Sequence, residues 1–367
     1  MGTVLFTGFP GFLGSALLPR TLRRAPEAQA VALVQQRWLP TAERELARLE
    51  GEHPEVAGRT RLVVGDITAP DLGLDPAERA ALLDAPLEIF HLAAVYDLSV
   101  AAALAWSVNV EGTRHVVALA RAAADGAGLS RLQYVSTCYV SGRYPGIFSE
   151  DDLELGQPFA NHYEHTKHEA ERVVAKARDA GLPVTIYRPS VVVGDSRSGA
   201  TAKFDGPYYA LQVILRQRGT AFMPLPGDPS QVFFNLVPSD FVVDAISALA
   251  AHPPARDRTV ALAQPHPPTV LEMCEGFARA TGRRLRPVAM ATGLSKFGID
   301  HVPGVDRLLK VPSSTLDYLT HPTVYDVAAT TALLDEVGVA CPRFADHVGA
   351  MVRFREENPQ VGSAAMV

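Results

Sequence analysis

Tyr163 and Lys167 stand four residues apart in Tyr163-Glu164-His165-Thr166-Lys167. On a helix that spacing puts both side chains on one face. A phenol titrating near ~10 is a poor acid or base at neutral pH, but a nearby ammonium favours the phenolate and lowers that value. Such a pair could deliver or remove the proton of a carbonyl/alcohol couple while a hydride moves. Ser136 and Thr137 end an apolar run upstream, and Asn109 lies in the helix-like stretch before it. Catalytic side chains of open α/β sheets collect at such strand ends. A second constellation is Thr7-Gly8-Phe9-Pro10-Gly11-Phe12-Leu13-Gly14. Gly8, Gly11 and Gly14 suit a tight turn, backbone approach to a pyrophosphate and close helix–strand packing, and the following helix start presents free N–H groups to an anion. Phe9, Phe12 and Leu13 belong to the same cofactor-binding segment.

The elements around these residues alternate in period. Short apolar strands are expected at 4–7, 31–34, 61–64, 87–93, 132–136 and 184–187. Helices are expected from Gly11 to Arg24 and at 41–49, 76–83, 101–124 and 162–180. Strands that are apolar throughout and alternate with helices predict a parallel sheet covered on both faces, hence a doubly wound α/β Rossmann domain with a smaller C-terminal substrate-binding region. The expected division is 1–190 for the dinucleotide-binding domain, with 235–265 returning to it. Residues 191–234 and 266–357 form the substrate-binding region, and 358–367 a frayed tail.

After the second strand, Val31–Trp38 contains no Asp or Glu. A carboxylate there would grip a free ribose 2′-hydroxyl. Arg37 stands in that stretch instead, and a guanidinium suits a 2′-phosphate, so NADP (as NADPH) is favoured over NAD. A solvated surface arginine is the blander reading.

Composition narrows the classes. Hydrophobic residues make up 47% and charged residues 20% of 367, which excludes disorder over most of the chain. A net charge of −6 argues against a nucleic-acid binder. Three scattered cysteines (Cys138, Cys274, Cys341) make no disulfide framework or paired zinc site, and a cytoplasmic setting is the simplest reading. The uncharged first 19 residues lack a basic start and are broken by glycine and proline, unlike a signal peptide, and no membrane span is expected.

The ordered pieces TGFPGFLG (7–14), GDIT (65–68), HLAA (91–94), NVEGT (109–113), YVSTCYVSG (134–142), YEHTK (163–167) and YRPSVVVG (187–194) resemble those of extended short-chain dehydrogenase/reductases. Within that superfamily the chain most resembles the male-sterility (fatty acyl-CoA reductase) and thioester-reductase branch. The resemblance covers about the first two-thirds of the chain. It implies that Asp66 accepts from the adenine amino group beside Ile67. Leu92, Ala93 and Ala94 line the cofactor, and Pro189, Val191 and Val192 flank the carboxamide. Lys167 bonds the nicotinamide ribose, Thr137 bonds the substrate oxygen, and Asn109 helps a proton relay. In that branch a basic residue follows the second strand's Leu-Val directly, where this chain has Gln35.

The expected activity is NADP-dependent reduction of a small-molecule carbonyl or acyl-thioester substrate, with Tyr163 as proton donor. A homodimer is one allowed assembly. The alternatives are a nucleotide-sugar epimerase or dehydratase and a non-catalytic NADP-binding regulator. Cys138-Tyr139 stands where dehydratases have Asp-Glu, and Tyr163 and Lys167 are both present, so a reductase is favoured. His162, His165 and His168 do not converge as metal ligands should, so no metal is expected. Cys138 reads as a core residue. Arg283, Arg284 and Arg286 read as a solvated patch, with coenzyme A phosphates as the sharper alternative. Phe204, Tyr208 and Tyr209 fit core packing or a substrate wall equally.

Overall fold

A computed structural model describes residues 2–96, 100–290 and 317–362. In chain order the first half runs β1 (Thr3–Thr7), α1 (Phe12–Arg24), β2 (Gln29–Val34), α2 (Leu39–Glu52), β3 (Thr60–Val64), α3 (Pro76–Leu83), β4 (Leu87–His91), α4 (Ala102–Ala105), α5 (Gly112–Asp125), β5 (Leu129–Val135), β6 (Gly146–Phe148), α6 (His162–Asp179) and β7 (Val184–Pro189). There follow β8 (Val191–Val193), α7 (Pro207–Leu215), β9 (Thr220–Pro226), β10 (Leu236–Pro238), α8 (Ser239–Ala251), β11 (Thr259–Leu262), α9 (Val270–Ala280), β12 (Arg284–Met290), β13 (Thr323–Tyr325), α10 (Ala328–Glu336) and α11 (Phe344–Glu357).

Seven strands form one parallel sheet in the order β11-β7-β5-β4-β1-β2-β3. The strand order reverses between β1 and β4, and ligands of such sheets bind in the crevice at the carboxyl ends there. One face packs Leu17, Leu18 and Leu22 of α1 against Val242, Ile246 and Leu249 of α8. The other packs Val116 and Ala120 of α5 against Val174 and Ala177 of α6. A third apolar cluster, around Phe204, Tyr208, Met273, Phe277 and Phe344, lies in the C-terminal part. There the described strands outside the main sheet form two-stranded parallel pairs, β8 with β10, β9 with β12, and β6 with β13.

Three expectations are corrected. The helix foreseen over 101–124 runs without interruption from Ala102 to Asp125 but is not uniform: a π-turn at Trp106–Glu111 joins α4 to α5. At Gly112, where α5 begins, a Cβ would lie 2.8 Å from the Ile67 side chain, so glycine lets the loop after β3 pack beside the π-turn. Leu333 and Leu334 of α10, placed by sequence in the substrate region, sit in the α1–α8 core. The tail is docked as far as it is described, because the Phe204 N–H donates to the Gly362 carbonyl at 2.9 Å; residues 363–367 lie outside the described set. No described helix is long and apolar enough to cross a membrane.

Candidate active site

The glycine loop is built from its own backbone. Gly8 has φ +89°, and a Cβ on it would lie 2.8 Å from the Ala93 nitrogen. Cβ atoms on Gly11 and Gly14 would stand 2.6 and 2.5 Å from the Gly8 carbonyl oxygen. The three glycines therefore interlock, and any side chain would push β1, α1 and the end of β4 apart. No side chain caps the start of α1 at Gly11, so its first N–H groups remain for an anion. That is the chemistry a pyrophosphate needs.

Beside this cradle, Gln35 joins two candidate cofactor residues. Its Oε1 accepts from Arg37 Nε at 2.9 Å, and its Nε2 donates to Asp66 Oδ2 at 3.0 Å. Arg37 is exposed and stacks over the Trp38 ring at 5.6 Å. Asp66 Oδ1 accepts the Thr68 N–H and hydroxyl at 2.9 and 2.8 Å. Burial pushes its carboxyl up, but those bonds, with Gln35 and the Arg37 charge, hold it below the ordinary value. The Gln35 that departs from the family pattern thus orients the arginine two residues later.

Thr7, at the end of β1, continues into a buried chain. Its hydroxyl meets His91 Nδ1 at 2.7 Å, His91 Nε2 meets the Thr113 hydroxyl at 3.0 Å, and Thr113 donates to the Asn109 carbonyl at 2.6 Å. Burial, helped by the Lys167 charge, pulls His91 down to about 3, so it stays neutral. The Thr7 hydroxyl also accepts the Ala93 N–H at 3.2 Å, which fixes the segment carrying Leu92, Ala93 and Ala94.

Asn161 caps α6 by accepting from the Glu164 N–H at 3.0 Å. One face of this helix carries Tyr163, Lys167 and Glu171. Thr137 sits just past β5, where its hydroxyl donates to the Pro189 carbonyl at 3.3 Å and accepts the Tyr139 N–H at 3.2 Å. The Tyr163 hydroxyl lies near that of Thr137, near enough for the threonine to lower the phenol's pKa against the rise from burial. Two hydroxyls thus converge at the carboxyl end of the sheet.

The expected tuning of the phenol by the ammonium is not what this geometry gives. Lys167 donates to the Val135 carbonyl at 2.8 Å and lies 4.6 Å over the Tyr134 ring. Burial pushes Tyr163 up to about 12, and the nearby Thr137 hydroxyl offsets only part of that. Burial pulls Lys167 down to about 7 against the opposing pull of Glu171. The pair shares a face, but the ammonium points to β5.

Asn109 lies in the π-turn, a feature common at functional sites. Its Oδ1 accepts the Val95 N–H at 2.9 Å, and its Nδ2 donates to the Val95 carbonyl at 3.1 Å and to the Thr166 hydroxyl at 3.0 Å. Its amide therefore pins the loop after β4 to α6, and its side-chain hydrogen bonds go to Val95 and Thr166 rather than to Tyr163 or Lys167. Pro189 ends β7, where its carbonyl meets Thr137, and Val191 and Val192 open β8. Cys138 is in a tight turn, not on a strand; it is buried, its thiol donates to the Arg188 carbonyl at 3.0 Å, and burial pushes its pKa well up.

Sequence reading missed the ion pair behind the site. Glu171 accepts from Arg188 at 2.9 and 2.6 Å and from the Ser136 hydroxyl at 2.5 Å, all buried. Its signal was a third step of the helix spacing, Tyr163-Lys167-Glu171. Other residues resolve plainly. Arg283 caps backbone carbonyls of Gln217, Thr281 and Leu215, so it is not free for a phosphate. Phe204 and Tyr208 are core. A small pocket, open to solvent, is lined by Tyr139, Phe233, Asn235, Tyr318, His321 and Tyr325 among others.

The NAD-binding family model described as "Male sterility protein" matches residues 6–246, which hold the glycine cradle, Thr137, Tyr163 and Lys167. The chain belongs to the male sterility protein family. The terminal R domain from the myxalamid PKS-NRPS biosynthetic pathway superposes with a TM-score of 0.79 at 28% identity, covering 100% of this chain and 93% of that one. Fatty acyl-CoA reductase wat of Drosophila melanogaster is 26% identical over 67% of this chain and 53% of its own length. Carboxylic acid reductase of Mycobacterium tuberculosis is 28% identical over 72% of this chain and 24% of its own length. The chain thus spans about half or less of these two curated relatives. Membership in this family, with the interlocked glycine cradle, makes a nicotinamide dinucleotide the cofactor and the fold an extended short-chain dehydrogenase/reductase.

Proposed function

We propose that the chain reduces an acyl thioester to an aldehyde with NADPH. A hydride adds to the thioester carbonyl carbon, the C–S bond breaks, and the thiol leaves with a proton. One NADPH and one proton are consumed per aldehyde formed. The observation that carries this reading is the convergence of the Thr137 and Tyr163 hydroxyls just past β5, beside Lys167. The relatives with fatty acyl-CoA reductase and R-domain names support the thioester.

NADPH supplies the hydride when bound. Gly8, Gly11 and Gly14 with the start of α1 would hold its pyrophosphate, Asp66 and Ile67 its adenine, and Arg37, oriented by Gln35, its 2′-phosphate. Thr137 would donate to the carbonyl oxygen, and Tyr163 would give the proton that the developing oxyanion needs. Lys167 would turn from the Val135 carbonyl toward the ribose and stabilise the phenolate left behind. Asn109 would act by positioning the loop after β4. Residues 1–190 with 235–265 would bind the cofactor, backed by α10, while 191–234 and the remaining described residues of 266–357 would shape the acyl site. The aromatic cavity beside Tyr139 would take the acyl end.

The test is to incubate purified protein with NADPH and coenzyme A thioesters of graded chain length, following NADPH loss and free thiol together. The proposal expects equal initial rates of both. NADPH loss with aldehydes or ketones, and thiol release from no thioester, would make it a carbonyl reductase instead.

A further inference from the structure

Beside Tyr163 the structure joins two segments that are far apart in sequence. The first follows β4: Tyr96 stands two residues after Ala94, and its ring meets the Tyr163 ring edge-on at 6.1 Å between centroids. The second is the strap between β8 and α7. Its Phe204 is buried, with the Arg355 guanidinium 4.7 Å over the ring, and its Gly199 is packed so closely that a Cβ would collide with the Ala350 carbonyl. Anchored there, the strap holds Lys203 and Asp205 toward the first segment. The Tyr96 hydroxyl donates to Asp205 Oδ2 at 2.6 Å. Lys203 Nζ bonds the same oxygen at 2.7 Å and lies 3.4 Å over the Tyr96 ring. One residue on, Gly206 passes within van der Waals reach of Val191, 3.5 Å from a notional Cβ to its Cγ1.

These contacts form a closed set. Lys203 neutralises Asp205 and stacks on Tyr96, and Tyr96 donates to Asp205. Each ion depends on the other: burial pulls Lys203 below its ordinary value and pushes Asp205 above its own. Solvent-exposed ion pairs contribute little. A partly desolvated pair that also holds an aromatic ring by cation–π attraction contributes more. The set bridges the segment after Ala94 to the strap beside Val191, and its Tyr96 ring packs on Tyr163.

We infer that Tyr96, Asp205 and Lys203 form a positioning latch that holds the Tyr163 ring in its working orientation and closes the nicotinamide end of the site. Tyr96 acts through Tyr163; none of the three supplies a proton to the substrate. The latch rests on the reductase reading above.

The experiment uses the full chain and the substitutions Tyr96→Phe, Asp205→Asn, Lys203→Met and Lys203→Arg, with the double variant of the first two. Three quantities are measured: kcat and KM for the best thioester, the rate of NADPH release by stopped-flow fluorescence, and Tm. Misplacement of a reacting group by about 1 Å can cost ~10²-fold in rate, and a loosened latch displaces it less. Tyr96→Phe and Asp205→Asn should each lower kcat by roughly 3- to 30-fold with KM little changed. They should speed NADPH release several-fold and leave Tm in place. The double variant should be no worse than the worse single one, because both break the same contact. Lys203→Arg, which keeps a cation over the ring, should retain what Lys203→Met loses. Release rates and kcat within twofold of wild type for both Tyr96→Phe and Asp205→Asn would overturn the latch. Wild type that binds NADPH but consumes no substrate overturns the reductase reading alone, and the release rates then decide the latch. Wild type that binds no NADPH overturns both.

Discussion

The two parts of this molecule hold their functional side chains by different means. In the N-terminal part, seven parallel strands bring Thr7, His91, Val135 and Pro189 to one edge, and buried polar chains lock them together. In the C-terminal part, two-stranded pairs and straps carry the aromatic cavity and the Lys203–Asp205 pair. A parallel sheet fixes position through repeated backbone bonding, so its site residues can be short and few. A strap must be fastened by individual contacts. Under the proposed function the contrast would separate two tasks, with proton transfer built on the sheet and substrate choice on the straps.

If that division holds, damage to the sheet side should cost most. Tyr163→Phe should reduce kcat by ~10²–10⁴-fold, the usual loss for a positioned acid–base group, with NADPH affinity nearly unchanged. Steady-state kinetics with a binding titration checks this. Next is the ion pair behind the site. Glu171→Ala leaves Arg188 charged and buried, at 3% exposure, and breaking a buried pair this way costs ~3–5 kcal/mol. Denaturant melts should show it, whereas Glu52→Ala, which breaks the exposed Arg48–Glu52 pair, should change stability by less than ~1 kcal/mol.

Smaller, and specific to one ligand, is Arg37→Ala. Hydrogen bonds to charged groups contribute ~1.5–3 kcal/mol, so NADPH should bind about ten- to a hundredfold more weakly while NADH is unaffected. Equal weakening of both would show that Arg37 supports the fold at the Gln35–Asp66 junction.

The last expectation concerns pH dependence rather than a single substitution's cost. In the cofactor-free protein Lys167 is pulled down to about 7 from its ordinary 10.5. Between those values the unfolded chain binds more protons than the folded one, so this group makes stability rise with pH. Below about 7 both states are protonated and the burial penalty is fully present. Melts from pH 7 to 10 should therefore show a rising contribution that Lys167→Met removes.

Much of the sheet side was legible in the sequence because its determinants are local. The Gly8–Gly14 spacing, the Tyr163–Lys167 step and the apolar strands each specify geometry over a few residues. The π-turn was not legible: Trp106–Glu111 has ordinary helix residues, and the contacts around it, Ile67 beside Gly112 and Val95 bonded to Asn109, come from other segments. The direction of the Lys167 ammonium was hidden too, since it is set by the Val135 carbonyl from another element. The Tyr96 contact with Asp205 spans 109 residues, and no local pattern announces it.

The central claim is hydride transfer from NADPH to a thioester carbonyl at the Thr137–Tyr163 pair. It is tested most directly with NADPH deuterated at the transferring nicotinamide carbon and a coenzyme A thioester the protein consumes. The product aldehyde should carry one deuterium on its carbonyl carbon, with one free thiol per aldehyde, and Tyr163→Phe should slow both together. Aldehyde without deuterium, or NADPH oxidised with no thiol released, would contradict the account.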